Sequence, residues 1–139
     1  MPLVRVSNGG MSETVLWTNS SPSSSFAAQN ITLNQTMSNF KYLKFEWSAG
    51  IGTNTSTIKG SNIYEVDYIK RTQSGTGTSS TLKLKFVLNT GRFSGYCHVR
   101  EGYYTSNTQV YIDSTKLIGG TAPSNATNYV IPIKIIGLK

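Results

Sequence analysis

The sequence predicts an all-β domain, an antiparallel β-sandwich with a jelly-roll-like arrangement of about eight strands. Three observations support this fold class. Ser, Thr and Asn make up 46 of the 139 residues, whereas the helix formers Ala, Glu and Leu are scarce. Apolar and polar side chains alternate with a period of two in several segments. Clusters of Gly, Ser, Thr and Asn separate those segments at the spacing typical of sandwiches and barrels.

The clearest strands have one apolar and one polar face, because successive side chains of a strand point to opposite sides. Residues 40–47 and residues 82–88 show this pattern most plainly. Their apolar faces consist of Leu43, Phe45, Trp47, Leu82, Leu84, Phe86 and Leu88. Both faces are therefore predicted to lie in the core between two sheets.

Residues 63–70 form another predicted strand, in which Tyr64, Val66 and Tyr68 alternate with Glu65 and Asp67. A polar loop at 73–80 then leads into strand 82–88, so we expect a hairpin. The remaining strands are expected at residues 13–17, 27–33, 93–100, 109–112 and 129–136. Residues 116–128 contain Gly119-Gly120 and Pro123 and are expected to be a loop.

The last predicted strand, 129–136, contains Pro132, which has no backbone N–H group to donate. Such a residue is expected at a sheet edge or at a bulge. An apolar strand at an edge is a candidate for contact with another subunit. The side chains predicted for this oligomer interface are Tyr129, Ile131, Ile133 and Ile135.

The chain has the length of one domain, and no internal repeat divides it. We expect residues 1–12, with Gly9-Gly10, to be a lead-in or linker and residues 13–139 to form the sandwich. We find no signal-peptide pattern and no apolar run of membrane-spanning length, so no membrane insertion is expected. The single cysteine, Cys97, is expected to be a small buried side chain.

No motif of a metal centre or of a catalytic nucleophile is found. The single histidine, His98, follows Cys97 directly, and neighbours on a strand point to opposite faces. Glu65 and Asp67 share a predicted strand face and could serve glycoside hydrolysis, but two acids on an outward face are more often solvated charges. We therefore expect no catalytic residues, no metal and no cofactor.

The formal net charge of +7 does not come from a basic cluster, because the lysines lie singly along the predicted strands. We therefore expect no specific nucleic-acid site. After residue 70, however, eight basic residues stand against only Glu101 and Asp113. This imbalance leaves contact with an acidic partner open for that half of the chain.

Aromatic residues are more numerous than one small core needs, and the densest group lies at residues 96–104. The predicted geometry places Tyr96, His98 and Arg100 on one outer strand face, followed by Tyr103 and Tyr104 in a turn or loop. Such residues can stack on a sugar face and donate hydrogen bonds, or can anchor a protein partner. The alternative is that the tyrosines fill the space between packed subunits or cover the ends of the sandwich.

Two stretches resemble proteins of tailed phages. The first contains Glu13-Thr14-Val15-Leu16-Trp17-Thr18-Asn19, Pro22, Phe26-Ala27-Ala28-Gln29, Ile31-Thr32-Leu33 and residues 40–47. It is similar to a segment of fibre, baseplate and head-decoration proteins. The ending, residues 130–139, resembles the terminal strand of many such proteins, in which an aromatic residue often stands at the position of Ile136. The resemblance implies a β-sandwich on the virion, commonly trimeric and located at the tip of a fibre or tail appendage, and it carries over no catalytic residues.

The resulting hypothesis is a virion adhesion module that binds host cell-surface polysaccharide through the surface around residues 96–104. Its further partners would be other virion proteins and two more copies of the chain, and it would be assembled in the host cytoplasm. The first alternative is a purely structural head-decoration or connector subunit. The second is a glycan-degrading enzyme that uses Glu65 and Asp67.

Overall fold

The computed structural model describes residues 11–50, 57–74, 86–93, 96–118 and 130–139. Two four-stranded antiparallel sheets are present, which confirms the predicted sandwich. Sheet A contains, in spatial order, β1 (Glu13–Thr18), β8 (Val130–Leu138), β3 (Tyr42–Gly50) and β4 (Thr57–Glu65). Sheet B contains β2 (Gln29–Thr32), β7 (Gln109–Ile118), β6 (Tyr96–Ser106) and β5 (Phe86–Phe93). Because β1 pairs with β8 and β2 pairs with β7, the ends of the chain nest in the jelly-roll manner.

The core lies between the two sheets and is built from the predicted apolar faces. Leu43, Phe45 and Trp47 of β3 are buried, as are Phe86 and Leu88 of β5. The rings of Phe45 and Phe86 stack across the sandwich with their centroids 4.3 Å apart. Leu82 and Leu84 lie outside the described residues. The period of two therefore identified the buried faces of residues 40–47 and of the described part of 82–88. In residues 93–100 it assigned His98 and Arg100 to the outer face, and both are buried.

The strand predicted at 63–70 is wrong beyond Glu65, because helix α1 (Val66–Ser74) follows β4 directly. Val66 and Ile69 are both buried, and their spacing of three residues matches one helical face. Asp67 lies in the first turn, where a negative charge is favourable. The predicted hairpin is also wrong, since β4 and β5 belong to different sheets. A 3-10 turn is also present at Met37–Asn39.

The segment 93–100 was predicted as one strand but spans two, because Phe93 ends β5 and β6 begins at Tyr96. Strand β6 also continues through the expected loop after residue 100. Gly102, which suggests a turn, is instead required for packing, since a Cβ atom there would lie 2.1 Å from the ring of Phe86. Strand β7 likewise continues to Ile118, past the start of the loop expected at residue 116.

Strand β8 lies between β1 and β3, so the expectation that it forms a sheet edge is wrong. The expectation of a bulge is confirmed, because the register with β3 shifts where Trp47 meets Pro132. On the side of β8 that faces β1, the strand pairing ends at Lys134. Beyond that point, Asn19 supplies the hydrogen bonds to β8. Its backbone N donates to the oxygen of Ile133 and its Nδ2 to the oxygen of Pro132, both at 2.8 Å. A proline is thus accommodated within an interior strand.

The burial of β8 also bears on the predicted oligomer interface. Ile131 and Ile135 pack in the chain's own core, and Ile133 is half-buried against it. Tyr129 and residues 1–10 lie outside the described part. Among the described residues, no helix is long and apolar enough to span a membrane.

Candidate functional site

The five residues predicted as a binding site all belong to β6. The four whose side chains are described do not form one surface, because they are divided between the core side and the outer side of the strand. The expectation that Arg100 is exposed is wrong, because its side chain is fully buried. Arg100 pairs with Leu88 of β5, and Gly102 pairs with Phe86. Because Leu88 and Phe86 are both buried, the side of β6 that carries Arg100 and Gly102 faces the core.

The buried guanidinium of Arg100 joins three separate segments of the backbone. Its Nε donates to the oxygen of Val130 at 2.5 Å, Nη1 donates to that of Asp113 at 2.9 Å and Nη2 donates to that of Phe26 at 2.7 Å. The guanidinium also lies over the Phe26 ring, 5.2 Å from its centroid. Burial lowers the pKa of Arg100 to about 10, and the nearby charge of Asp113 opposes part of this shift. Arg100 is therefore a structural residue of the sandwich.

Two other members of the predicted set are also withdrawn from the surface. His98 is buried, and this burial lowers its pKa below 6.5. Tyr104 is half-buried against the core, and burial raises its pKa. The side chain of Tyr96, like that of Cys97, lies outside the described part. Of the five residues, only Tyr103 is shown on the outer face of sheet B.

Tyr103 has a partner that sequence reasoning missed. In the β6–β7 ladder, Tyr103 lies directly opposite Tyr111, and the two rings are 5.1 Å apart at an angle of 40°. Both side chains are partly exposed. Asn30 of β2 pairs with Tyr111 on its other side. These three residues form one row across the outer face of sheet B. A neighbouring polar row contains Thr32, Thr105 and Gln109. We call the surface formed by these two rows the tyrosine face.

The polar row beside the two rings consists of hydroxyl and amide groups. Thr105 Oγ1 donates to Asn30 Oδ1, and Gln109 Nε2 donates to Thr32 Oγ1, each at 3.1 Å. These bonds hold the side chains in place at the surface. Asn30 is exposed, so its Nδ2 can donate to a ligand while Oδ1 accepts from Thr105. The tyrosine face therefore combines aromatic surface with fixed hydrogen-bonding groups.

Electrostatics keep the tyrosine face neutral at its centre. Burial, the charge of Asp113 and the proximity of Tyr103 all raise the pKa of Tyr111, so its phenol remains a hydroxyl donor at neutral pH. At the other side of the rings, Lys116 Nζ lies 2.8 Å from Glu101 Oε1. This hydrogen bond raises the pKa of Lys116. The charges of Lys116 and Glu101 are thus paired, and the charge of Asp113 acts on Tyr111.

The acids considered for catalysis are separated by the change of element. Glu65 is the last residue of β4, whereas Asp67 lies in the first turn of α1, and both are exposed. The expectation that they share a strand face is therefore wrong. Among the described residues, no group of three or more His, Cys, Asp or Glu side chains could hold a metal ion. No protein-family model matches the chain, and no curated protein matches it.

Proposed function

We propose that this chain is a non-catalytic adhesion module of a tailed-phage particle that binds host cell-surface polysaccharide on the tyrosine face. The observation that carries the proposal is the row Tyr103–Tyr111–Asn30 across three neighbouring strands. An aromatic ring offers apolar area to the C–H face of a sugar, and a tyrosine hydroxyl adds a hydrogen bond. The adjacent amides and hydroxyls of Asn30 and Thr105 can then pair with sugar hydroxyl groups.

The geometry of the face suits a polymer better than a small enclosed ligand. The two rings are partly exposed on the outer face of a sheet, so a sugar chain could pass across them without its ends being enclosed. Regular strands also hold side chains more precisely than loops do, which lowers the entropy lost on binding. The assignment to a phage particle depends on the resemblance of residues 13–47 and 130–139. Under this proposal the module acts on the virion, beside other virion proteins, as a homotrimer.

Binding to immobilised cell-wall polysaccharide from a panel of Gram-positive and gut bacteria tests the proposal. We expect Tyr103→Ala and Tyr111→Ala each to weaken binding about tenfold, since a central aromatic contact contributes more than roughly 1 kcal/mol. Tyr68→Ala is the matched control, because Tyr68 is an exposed tyrosine that belongs to α1 and not to sheet B. Equal binding by all three variants and the unaltered protein would refute the proposal.

A purely structural head-decoration or connector role is the second candidate, and the outer face of sheet A favours it. Val15 and Ile63 are 44% and 49% exposed there. They lie in one row across the sheet, with Ile136 and Lys44 between them. Light scattering of the unaltered protein and of a Val15→Lys, Ile63→Lys variant tests this candidate. An oligomer that this variant dissociates, together with absence of polysaccharide binding, would favour the structural role.

A further inference from the structure

A groove of about 810 Å³ lies on sheet A, on the side of the sandwich opposite the tyrosine face. Strands β3, β4 and β8 form its floor, and Pro22 and Ser23, from the loop after β1, border it. Along the floor, Ser48 pairs with Lys59, and Ser61 pairs with Glu46. The groove is deep along this floor because the serine side chains are short and the neighbouring side chains of Glu46 and Lys59 are long.

The groove has an excess of positive charge. Three lysines, Lys44, Lys59 and Lys134, line it together with one acid, Glu46. The ammonium of Lys44 lies 3.6 Å from the carboxylate of Glu46, which balances those two charges. Lys134 pairs with Glu46 in the strand ladder, but within the described residues neither Lys134 nor Lys59 forms an ion pair. Two positive charges are therefore left over in one concave surface.

The remaining lining gives the groove a mixed character. Ile131 and Ile133 contribute apolar surface beside the lysines, and Ser23, Ser48 and Ser61 contribute hydroxyl groups. An ammonium group on a flexible stem binds phosphate or carboxylate as a point charge, and the hydroxyl groups can donate to the same oxygens. The apolar patch suits the carbon skeleton next to such a charged group.

We propose that the groove is a second binding site, which takes the phosphate or carboxylate groups of an anionic polysaccharide between Lys59 and Lys134. The ligand class rests on the proposed adhesion function, whereas the charge requirement rests on the groove alone. A chain bound here would contact sheet A, while the tyrosine face on sheet B contacts neutral sugar surface. The two sites could then hold different segments of one cell-wall layer, which strengthens attachment through effective concentration.

Calorimetric titration of the full chain with three defined oligomers tests this site. The probes are a glycerol phosphate oligomer, an oligogalacturonate and a neutral dextran oligomer. The unaltered protein should bind at least one anionic probe more tightly than dextran, and the tighter anionic probe identifies the charged group. In Lys59→Gln, Lys134→Gln we expect binding of that probe to weaken about tenfold, the combined effect of two solvent-accessible charge contacts. Binding by the double variant should also depend less on salt concentration than binding by the unaltered protein, because the screened lysine charges are gone.

Matched variants separate failure of this site from failure of the proposed function. Lys41→Gln removes an exposed lysine outside the groove and should leave the affinity unchanged. Tyr103→Ala should reduce polysaccharide adhesion without changing binding of the anionic probe. Equal binding of the anionic probe by the double lysine variant and the unaltered protein would overturn the groove site and leave the tyrosine face standing. Lysine-dependent binding with no effect of Tyr103→Ala on adhesion would support the groove and overturn the tyrosine face.

Discussion

Replacing Arg100 by methionine should destabilise the sandwich without acting on a binding surface. Methionine fills much of the same volume but donates no hydrogen bond. The carbonyl oxygens of Phe26, Asp113 and Val130 would each lose their bond to the guanidinium. Because those three carbonyls lie on different segments, the substitution loosens contacts between distant parts of the chain.

The magnitude follows from two opposing terms. Hydrogen bonds from a charged donor contribute about 2 kcal/mol each, so three contribute about 6 kcal/mol. Burial of the charge costs part of this gain: it lowers the pKa of Arg100 to about 10, which corresponds to roughly 3 kcal/mol. We therefore expect Arg100→Met to lower the free energy of unfolding by about 3 kcal/mol, or the melting temperature by roughly 10 °C.

Urea unfolding followed by tryptophan fluorescence measures this change. Arg100→Lys should lose about 2 kcal/mol, because one compact ammonium cannot reach three separate carbonyls as a guanidinium does. Lys116→Met is the control, since it removes only the exposed pair with Glu101 and should cost less than about 1 kcal/mol. An Arg100→Met protein that unfolds like the unaltered one but binds polysaccharide less tightly would refute this reasoning and restore Arg100 to the binding surface.

Two further substitutions test other buried contacts. Tyr64→Phe should lower the free energy of unfolding by about 1–2 kcal/mol. The hydroxyl of Tyr64 donates to the oxygen of Val87 at 2.9 Å and accepts from the Val87 nitrogen at 3.2 Å, and phenylalanine can form neither bond. Calorimetric melting of the variant checks this, and an unchanged transition would contradict it. Burial lowers the pKa of His98, so below pH 6.5 the unfolded chain takes up the proton first and stability falls with falling pH. His98→Gln should flatten that dependence in a series of urea titrations between pH 7 and about pH 5, and an unaltered slope would show that other groups cause it.

The fold could be predicted because its main signal is local. Alternation in 40–47 assigns Leu43 and Phe45 to the core from neighbouring residues alone, and pleating makes that assignment independent of the partner strand. The same signal was ambiguous at α1. Val66 fits both the strand pattern with Tyr64 and the helical pattern with Ile69, and only packing decides between them.

The candidate site was less predictable because it depends on pairing between strands. The sequence predicts an exposed Arg100 because charged side chains are rarely buried. No local pattern shows that Arg100 lies on the same strand face as Gly102 and opposite the buried Leu88. Tyr111 was missed because its contact with Tyr103 crosses a hairpin. A turn at Asn107-Thr108 would by itself place Tyr104 opposite Tyr111, and the register shift between Tyr104 and Ser106, which no local pattern shows, brings Tyr103 there instead.

The central claim is that the tyrosine face, and not the stretch of residues 96–104 as such, binds polysaccharide. Nuclear magnetic resonance with labelled tyrosine rings, recorded during titration with a cell-wall polysaccharide that the protein binds, tests it most directly. We expect the ring signals of Tyr103 and Tyr111 to shift together and to saturate at one concentration, while those of Tyr64 and Tyr68 stay in place. Shifts confined to tyrosines outside the face, with Tyr103 and Tyr111 unaffected at saturation, would contradict it.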